Sequence, residues 1–397
     1  MNLFSAAERL AAIDRSEITL DAARCLHSRD KFAACEACLN VCPADAIQAD
    51  KPPRLDSTAC ASCLTCLPLC PSGAFSADDS VADLLNCAAR VESRAVELVC
   101  QAHPRAEMGL SAEATGIRLR GCLAGLGSGT YLALAALGVE QVTLRLDACG
   151  ECPWASLRGQ AEKQFFNEAK QLLSAWGRAE TLRLTDALTE PIERPLWDAK
   201  NPPLSRRDMF LLVSRQGQIA LARAIENQPP KAGKSIGRNR TRMIHAAAQL
   251  GDLQDGGVSL AGMDFAMLTI NESCSACGAC ARICPTDALT FESDEKAHRY
   301  VLRFSPKECI NCEACIHVCM EKAVRVDSAP MAEQVWDPKE AVLLQSGELS
   351  RCEHCSAPFA ARQGIRLCPT CEYRRKNPFG SRLPAGMVLP GGKKHDH

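Results

Sequence analysis

The sequence predicts a multidomain chain of mixed α/β and α+β class, in which two small cysteine-rich modules flank a parallel α/β domain. Its 397 residues suit two to four domains. It holds 25 cysteines in a chain far too long to be a small disulfide scaffold. These are grouped, with eight in residues 25–70, five in 71–273, eight in 274–319 and four in 352–371. The groups divide the chain.

Charge and hydropathy exclude several classes of protein. Lys plus Arg total 46 and Asp plus Glu total 47, so the chain lacks the basic footprint of a nucleic-acid partner. The sequence contains no run of 18 apolar residues, so we expect no membrane span. Met1–Ile13 reads as an amphipathic helix rather than a secretory signal, because Glu8 and Arg9 interrupt it. We therefore expect a reducing cytoplasm, where cysteines in short repeats indicate metal binding.

The N-terminal module is expected at residues 1–80. Cys60-x2-Cys63-x2-Cys66-x3-Cys70-Pro71 is a complete motif, and its partner is Cys35-x2-Cys38-x3-Cys42-Pro43. In the partner, Phe32 stands where a first cysteine belongs. We favour Cys25 as the source of the missing thiolate. The alternatives are a three-iron cluster, a non-cysteine ligand such as His27, or no first cluster.

The middle domain is expected at residues 81–190. Residues 97–100, 116–120, 141–146 and 181–184 are strand-like, and residues 130–137 and 155–176 are helix-like, which predicts a small parallel α/β unit. Four cysteines fall at the carboxyl ends of predicted strands, the edge where such sheets bind ligands; these are Cys100, Cys122, Cys149 and Cys152. A further iron–sulfur cluster, a redox-active dithiol and ordinary buried thiols all remain open for them.

One weak resemblance and one glycine-rich segment bear on the role of this domain. The cysteine pattern weakly resembles the small iron–sulfur subunit, of hydrogenase delta type, that connects some hydrogenases to heterodisulfide reductase, although that subunit has CxxxxC where this chain has CxxC. Residues 121–129 form a glycine-rich segment after a strand, but it matches neither GxGxxG nor a P-loop. We expect it to wrap a cluster, to hold an anion at a helix N-terminus, or simply to form a tight turn.

Residues 191–262 are expected to be a linker with one helix. Four prolines in 187–204 predict the linker, and residues 205–227 predict the helix. Ser205–Phe210 resembles a twin-arginine export motif, but we interpret Ser205 and Asp208 as a helix capping box. Residues 228–257 are polar and basic and are expected to form a mobile connector.

The second cysteine-rich module is expected at residues 263–329. Cys274-x2-Cys277-x2-Cys280-x3-Cys284-Pro285 is followed by Cys309-x2-Cys312-x2-Cys315-x3-Cys319. Over residues 266–327 this resembles the bacterial two-cluster ferredoxin family, which binds two 4Fe–4S clusters. Residues 25–70 resemble the same family with the Phe32 defect. Met320 departs from the family, which usually has proline there. Separate zinc sites are the alternative, and such regular spacing disfavours them.

The resemblance implies four 4Fe–4S clusters, each with three ligands from one motif and the fourth from the partner motif. The implied ligand sets in the second module are Cys274, Cys277, Cys280 and Cys319, and Cys309, Cys312, Cys315 and Cys284. The implied sets in the first module are Cys25, Cys35, Cys38 and Cys70, and Cys60, Cys63, Cys66 and Cys42.

A zinc ribbon is expected at residues 330–376, followed by a disordered tail at 377–397. Cys352-x2-Cys355-x12-Cys368-x2-Cys371 pairs two knuckles around one tetrahedral ion. Rubredoxin-type iron is the alternative to zinc. The basic run Arg374–Lys376 suits a structural or docking role in so nearly neutral a chain.

The pattern predicts an electron-transfer protein rather than a stand-alone enzyme. Its clusters would relay electrons between a redox partner protein and a carrier, and the overall layout resembles ferredoxin proteins associated with molybdenum enzymes such as formate dehydrogenase. One alternative is an oxidoreductase subunit whose middle domain performs dithiol chemistry. Another is a maturation factor whose zinc ribbon binds a client enzyme.

Overall fold

The computed structural model describes residues 17–203, 216–226, 234–294, 296–327, 329–337 and 341–377. In this part of the chain no helix is both long and apolar enough to cross a membrane. The expected helix at 1–13, the motif at 205–210 and the tail from residue 378 lie outside these residues. The protein is a mixed α/β molecule built around one parallel sheet.

Residues 17–80 form a small unit of paired short strands. The N-terminal strand pairs with the last one, and the two central strands form a hairpin; the pairs are β1 (Thr19–Leu20) with β4 (Phe75–Ser76), and β2 (Ile47–Gln48) with β3 (Arg54–Leu55). Three short helices carry the cysteine loops: α1 (Leu26–Arg29), α2 (Ala37–Val41) and α3 (Cys66–Leu69). A small apolar core that includes Ile18, Ile47 and Phe75 holds the strands together.

The expected parallel α/β domain is confirmed. A five-stranded parallel sheet has the order β11-β7-β5-β8-β9, with strands β5 (Ala95–Cys100), β7 (Thr115–Leu119), β8 (Gln141–Arg145), β9 (Leu182–Thr185) and β11 (Leu196–Asp198). Its helices are α4 (Val81–Ala88), α5 (Ser128–Ala136) and α6 (Asn167–Ser174), the last preceded by a π-helical segment, Gln160–Phe166. A short pair, β6 (Met108–Gly109) with β10 (Ile192–Glu193), lies beside the sheet. Both faces of the central strands are buried, and most of their side chains are apolar. Glu97 of β5 and Arg145 of β8 are also buried, and they pair at 3.0 Å.

Part of the expected linker at 191–262 belongs to this sheet. The strand β11 pairs in parallel with β7, and the Gly116 N–H donates to the Pro195 carbonyl at 2.8 Å. Arg194 is buried there, where its guanidinium contacts Glu97 at 3.1 Å. The prolines suggested a linker because a three-residue edge strand is too short to show a pattern of its own.

The expected mobile connector at 228–257 contains a well-packed helix instead. After α7 (Gln216–Glu226), the helix α8 (Arg238–Leu250) packs along α5. Two of its arginines, Arg240 and Arg242, are buried. Arg242 is paired there, since it contacts Asp79 at 2.8 Å and also Glu226. Charges that read as a solvated surface in the sequence are matched by acids far away along the chain.

Residues 263–377 contain the second small unit and the C-terminal knuckles. The strand β12 (Met267–Ile270) pairs with β15 (Val324–Asp327), and β13 (Leu289–Asp294) pairs with β14 (Arg299–Phe304), as in residues 17–80. Two further strands, β16 (Val342–Arg351) and β17 (Pro358–Ala360), extend the central hairpin into a four-stranded sheet. The helices are α9 (Ala279–Ile283), α10 (Ala314–His317), α11 (Ala332–Trp336) and α12 (Pro369–Lys376). The knuckles therefore share a sheet with the second module.

Candidate metal centres

The two cysteine motifs of the second module have the same unusual backbone. Two residues in each motif adopt left-handed conformations: Ala276 (φ 57°) and Gly278 (φ 67°), and Asn311 (φ 48°) and Glu313 (φ 59°). Side-chain-bearing residues adopt such conformations only where their surroundings impose them. The alternation curls each loop, which is how backbone N–H groups are brought round toward cysteine sulfur.

The four predicted cysteines of each set come together. Burial, and after it the charges of neighbouring thiolates of the same set, raises the pKa of Cys280 to about 11. Burial and the nearby Cys284 and Cys312 act in the same direction on Cys309, whose pKa rises to about 12. Thiolates held this close repel one another unless a cationic core binds them, so the arrangement suits a metal cluster.

A second repeated turn follows the last cysteine of each motif. The third residue after it is left-handed in all four cases, as the list of Asp45 (φ 49°), Gly73 (φ 64°), Asp287 (φ 54°) and Lys322 (φ 49°) shows. The next residue donates its N–H to the cysteine sulfur at 3.2–3.3 Å in three of them, namely Ala46 to Cys42, Ala74 to Cys70 and Ala323 to Cys319. Met320, 92% exposed, leaves this turn unchanged although it replaces the expected proline.

The complete motif of the first module repeats the same geometry. Ser62 (φ 51°) and Leu64 (φ 66°) are left-handed, and the Ser62 N–H donates to the Cys60 sulfur at 3.5 Å. Burial, followed by the charges of neighbouring thiolates that include Cys42, raises the pKa of Cys66. The predicted set of Cys42, Cys60, Cys63 and Cys66 thus converges.

The incomplete motif differs in backbone but still assembles four cysteines. No residue of 33–37 is left-handed, in keeping with the missing cysteine at Phe32. Cys25 reaches the site from the start of α1, and its charge, together with that of Cys70, acts on Cys38, whose pKa burial raises to about 12. His27 instead bonds the Cys35 carbonyl through Nε2 at 2.8 Å. The His27 Nδ1 is buried without a hydrogen-bond partner among the described residues. Cys25 is favoured as the fourth ligand because its charge acts on Cys38 together with those of Cys35 and Cys70.

The two modules meet at their inner cysteine sets. Leu26, Ala33 and Ile310 form one buried cluster that also packs against Cys35 and Cys312. Beside this cluster, His317 Nδ1 lies 2.6 Å from the buried carboxylate of Asp30, and the His317 ring stacks edge-on against Phe32 at 5.8 Å. Nothing in the local sequence predicts these contacts, because the partners lie almost three hundred residues apart.

A buried cation lies at the same junction. The Arg240 guanidinium stacks on the Phe265 ring at 3.7 Å and donates through Nη2 to the Asp264 carbonyl at 2.5 Å. Its positive charge reaches Cys309, where it lowers the thiol pKa against the larger effect of burial. Its Nη1 has no hydrogen-bond partner among the described residues. The carboxyl groups of Asp264 and Glu168 also act on Arg240, as Cys309 does. A buried cation at this place fits a neighbouring site that holds an anionic cluster.

The four middle-domain cysteines line one cavity. Cys100 ends β5, Cys122 follows β7, and Cys149 and Cys152 follow β8, so three adjacent strands contribute to it. Burial and the charges of Cys149 and Cys152 raise the pKa of Cys100 to about 12, and burial and Cys152 raise that of Cys149 to about 11. Such thiols are poor nucleophiles, which disfavours a reactive dithiol. Cys87 lies apart in the core as an ordinary buried thiol.

The glycine-rich segment serves close packing. A Cβ on Gly125 would lie 3.3 Å from the Cys63 carbonyl, so this glycine lets the middle domain approach the first module. Gly127 and Gly129 give Asn239 of α8 similar room. The Gly129 N–H donates to Asn239 Oδ1 at 2.7 Å, so a side chain occupies the helix N-terminus where an anion was considered. The same segment carries Cys122 into the cavity.

The C-terminal knuckles form a compact site. The Sγ atoms of Cys352, Cys355, Cys368 and Cys371 lie within a sphere suited to one ion. Cys355 and Cys368 are 3.7 Å apart, close to the roughly 3.8 Å that a tetrahedral ion with 2.3 Å bonds to sulfur requires. The Cys368 N–H and other amides lower the pKa of Cys352 to about 6, which prepares it as a thiolate. Across the described ranges no other set of three or more such ligands is this compact.

The comparison with protein families agrees with this geometry. Residues 273–323, which hold all eight cysteines of the second group, match the 4Fe-4S dicluster domain. The chain is therefore an iron–sulfur protein with a ferredoxin-like module, as its sequence predicted. No curated protein matches the chain.

Proposed function

We propose that the chain relays single electrons through four 4Fe–4S clusters in its two modules, between a redox enzyme and a carrier. The observation that carries this proposal is the junction between modules, where Leu26, Ala33 and Ile310 pack against cysteines of two different sets. A shared apolar contact of this kind brings two redox sites together and excludes water between them.

Neighbouring sets form a continuous line. Cys280 of the outer set in the second module acts electrostatically on Cys315 of the inner set. The inner set meets the first module through Cys312 and Cys35. Within the first module, Cys38 and Cys66, one from each set, pack against the same core cluster. The proposed order runs from the Cys274 set through the Cys309 and Cys35 sets to the Cys60 set.

The residues around the line suit electron transfer. When bound, each cluster supplies a centre that takes up and gives back one electron. The chain contributes four thiolates per cluster, amide donors to sulfur and a largely buried setting, the features that set cluster potentials. Cys277 in the outer set is exposed, which gives a partner access at that end.

The knuckles support the outer set, and we propose that they hold a structural zinc ion. Arg362 donates to the Cys274 carbonyl at 2.8 Å, and the Ala360 N–H donates to the Ser275 carbonyl at 3.0 Å. Both donors lie beside the knuckles, so the zinc would hold in place a strand that covers a cluster loop. Rubredoxin-type iron in these knuckles would instead place a further redox site at this end.

For the partner, we propose a dehydrogenase, with molybdenum formate dehydrogenase as the first to test because of the chain's layout. The alternative function is a subunit that performs dithiol chemistry at Cys149 and Cys152. The cavity beside them would admit a substrate, but the raised pKa of Cys149 disfavours the reactive thiolate that such chemistry needs. Such a subunit would turn over a disulfide substrate, whereas a relay requires only one-electron partners.

The experiment that tests the relay is an anaerobic reductive titration followed by electron paramagnetic resonance. We expect uptake of about four electrons per chain for the four clusters of the modules. Signals of the reduced clusters should be broadened by coupling between neighbours. Uptake of two electrons or fewer, with isolated signals, would overturn the proposal.

A further inference from the structure

Four cysteines around one cavity need an explanation that the two modules do not provide. The cavity opens at the carboxyl edge of the parallel sheet and is lined by Cys100, Cys122, Cys149 and Cys152. Buried single thiols are common in cores, but four on three neighbouring strands that meet in one cavity are not an ordinary packing pattern.

Two of these sulfurs accept backbone hydrogen bonds, as the sulfurs of predicted cluster ligands do elsewhere in the chain. The Ala124 N–H donates to the Cys122 sulfur at 3.5 Å, and the Trp154 N–H donates to the Cys152 sulfur at 3.5 Å. Both bonds run from the second residue after the cysteine. This is the spacing and distance of the Ser62 to Cys60 bond in the complete motif of the first module.

A buried hydroxyl near the cavity also lacks a partner. Tyr131 is fully buried, and its hydroxyl has no hydrogen-bond partner within the described part of the chain. It lies close enough to Cys122 for the charge of that thiolate to act on it. Leaving a phenol hydroxyl unsatisfied in a core is costly, so a group that accepts its hydrogen bond belongs nearby.

The cavity is not shaped for a single ion. The four sulfurs are not among the ligand sets close enough for one ion within the described residues, unlike those of the knuckles. A larger core is needed to span them, and iron–sulfur clusters with four cysteine ligands are such cores.

The geometry points to a fifth iron–sulfur cluster, held by Cys100, Cys122, Cys149 and Cys152 as the end of the relay in the α/β domain. This inference rests on the proposed relay for its function but not for its ligands. The neighbouring set is in contact: Cys63, Ala124 and Leu157 share a small buried cluster with Cys122 and Trp154. One electron would pass between the two sites, oxidising one centre and reducing the other without making or breaking a bond.

Iron and sulfide analysis of anaerobically purified full-length protein tests this inference. The wild-type chain should hold about four iron atoms more than the sixteen of the modules, or about two more if the centre has two irons. The double variant Cys149→Ser/Cys152→Ser should lose that excess, with an equal amount of sulfide, and keep the other iron. The control variant Cys87→Ala, which removes a buried thiol outside the cavity, should keep all of the wild-type iron.

The outcomes separate the two proposals. If the wild type holds about sixteen iron atoms and the double variant the same number, the fifth cluster is overturned and the four-cluster relay stands. If the wild type holds about eight, the relay itself fails. Should the double variant not fold, the single variant Cys122→Ser takes its place: loss of iron with an equal amount of sulfide supports the fifth cluster, and unchanged iron overturns it.

Discussion

At the scale of single residues, Arg240 links packing to redox chemistry. Its guanidinium is buried at the junction of the modules and is near Cys309. Reducing a cluster adds negative charge, and a buried cation stabilises that charge. We therefore expect Arg240 to raise the potential of a cluster bound by the Cys309 set.

Replacing this cation should lower the potential of the inner cluster. One unit charge over about 10 Å at an effective dielectric constant of about 20 is worth about 1.7 kcal/mol, or about 70 mV for one electron. Arg240→Gln should shift one potential down by that order in a titration followed by electron paramagnetic resonance. Arg240→Lys keeps the charge and should shift it much less. Equal shifts in both variants would indicate a packing effect instead.

Glu168 should make the stability of the protein depend on pH. Burial raises its pKa to about 7 from 4.5, against the effect of Arg240. Between these values the folded state binds a proton that the unfolded state lacks, so stability falls as pH rises. The loss from pH 6 to pH 8 should be about 1 kcal/mol.

The matched variant is Glu168→Gln, which cannot ionise but can still make the hydrogen bond that Glu168 makes with Ser128. Its melting temperature should fall less than that of the wild type between pH 6 and pH 8. Parallel falls in the two proteins would contradict a buried carboxyl with a raised pKa.

At the scale of elements, the segment from Cys25 to Cys42 decides whether the first module holds one cluster or two. Cys25→Ser should remove between about one and about four iron atoms, depending on whether a three-iron cluster survives. His27→Gln loses only the bond to the Cys35 carbonyl and should retain all the iron. Iron loss in His27→Gln but not in Cys25→Ser would reverse the assignment.

The contact of α5 with α8 depends on glycine. A Cβ on Gly129 would lie 2.3 Å from the Asn239 carbonyl oxygen, so the helices would have to separate. We expect Gly129→Ala to destabilise the protein by about 1–3 kcal/mol, measured as an earlier thermal transition. Gly159→Ala adds a methyl group with no neighbour within 4 Å and should be neutral or slightly stabilising. A neutral Gly129→Ala would show that the helices are not in close contact.

How much could be read from sequence differs among elements for a physical reason. The loops of residues 60–70 and 274–319 were predictable because cysteine spacing is a local feature. The strands around Cys100 and Cys149 were predictable because their residue pattern is local too. The strand β11 and the helix α8 were not, because their stability depends on distant partners: β7 for the strand, and Asp79 and Glu226 for Arg242. The hydrogen bond between Asp30 and His317 could not be predicted either, because the two residues lie far apart along the chain.

At the scale of the whole molecule, the cysteine sets and the packing between them describe one path. The middle-domain cavity contacts the Cys60 set, the two modules meet through Cys35 and Cys312, and the Cys274 set lies beside the knuckles. The first two links are buried apolar contacts, whereas the hydrogen bond from Arg362 to the Cys274 carbonyl beside the knuckles is exposed. The fold thus places all the proposed redox sites one after another along a single path through the molecule.

The most direct test of this account is the content of iron, acid-labile sulfide and zinc in anaerobically purified full-length protein. Four clusters in the modules predict at least about sixteen iron atoms, the same amount of sulfide and about one zinc ion per chain. A value of about eight iron atoms would leave only two clusters. It would contradict the claim that both modules take part in one relay.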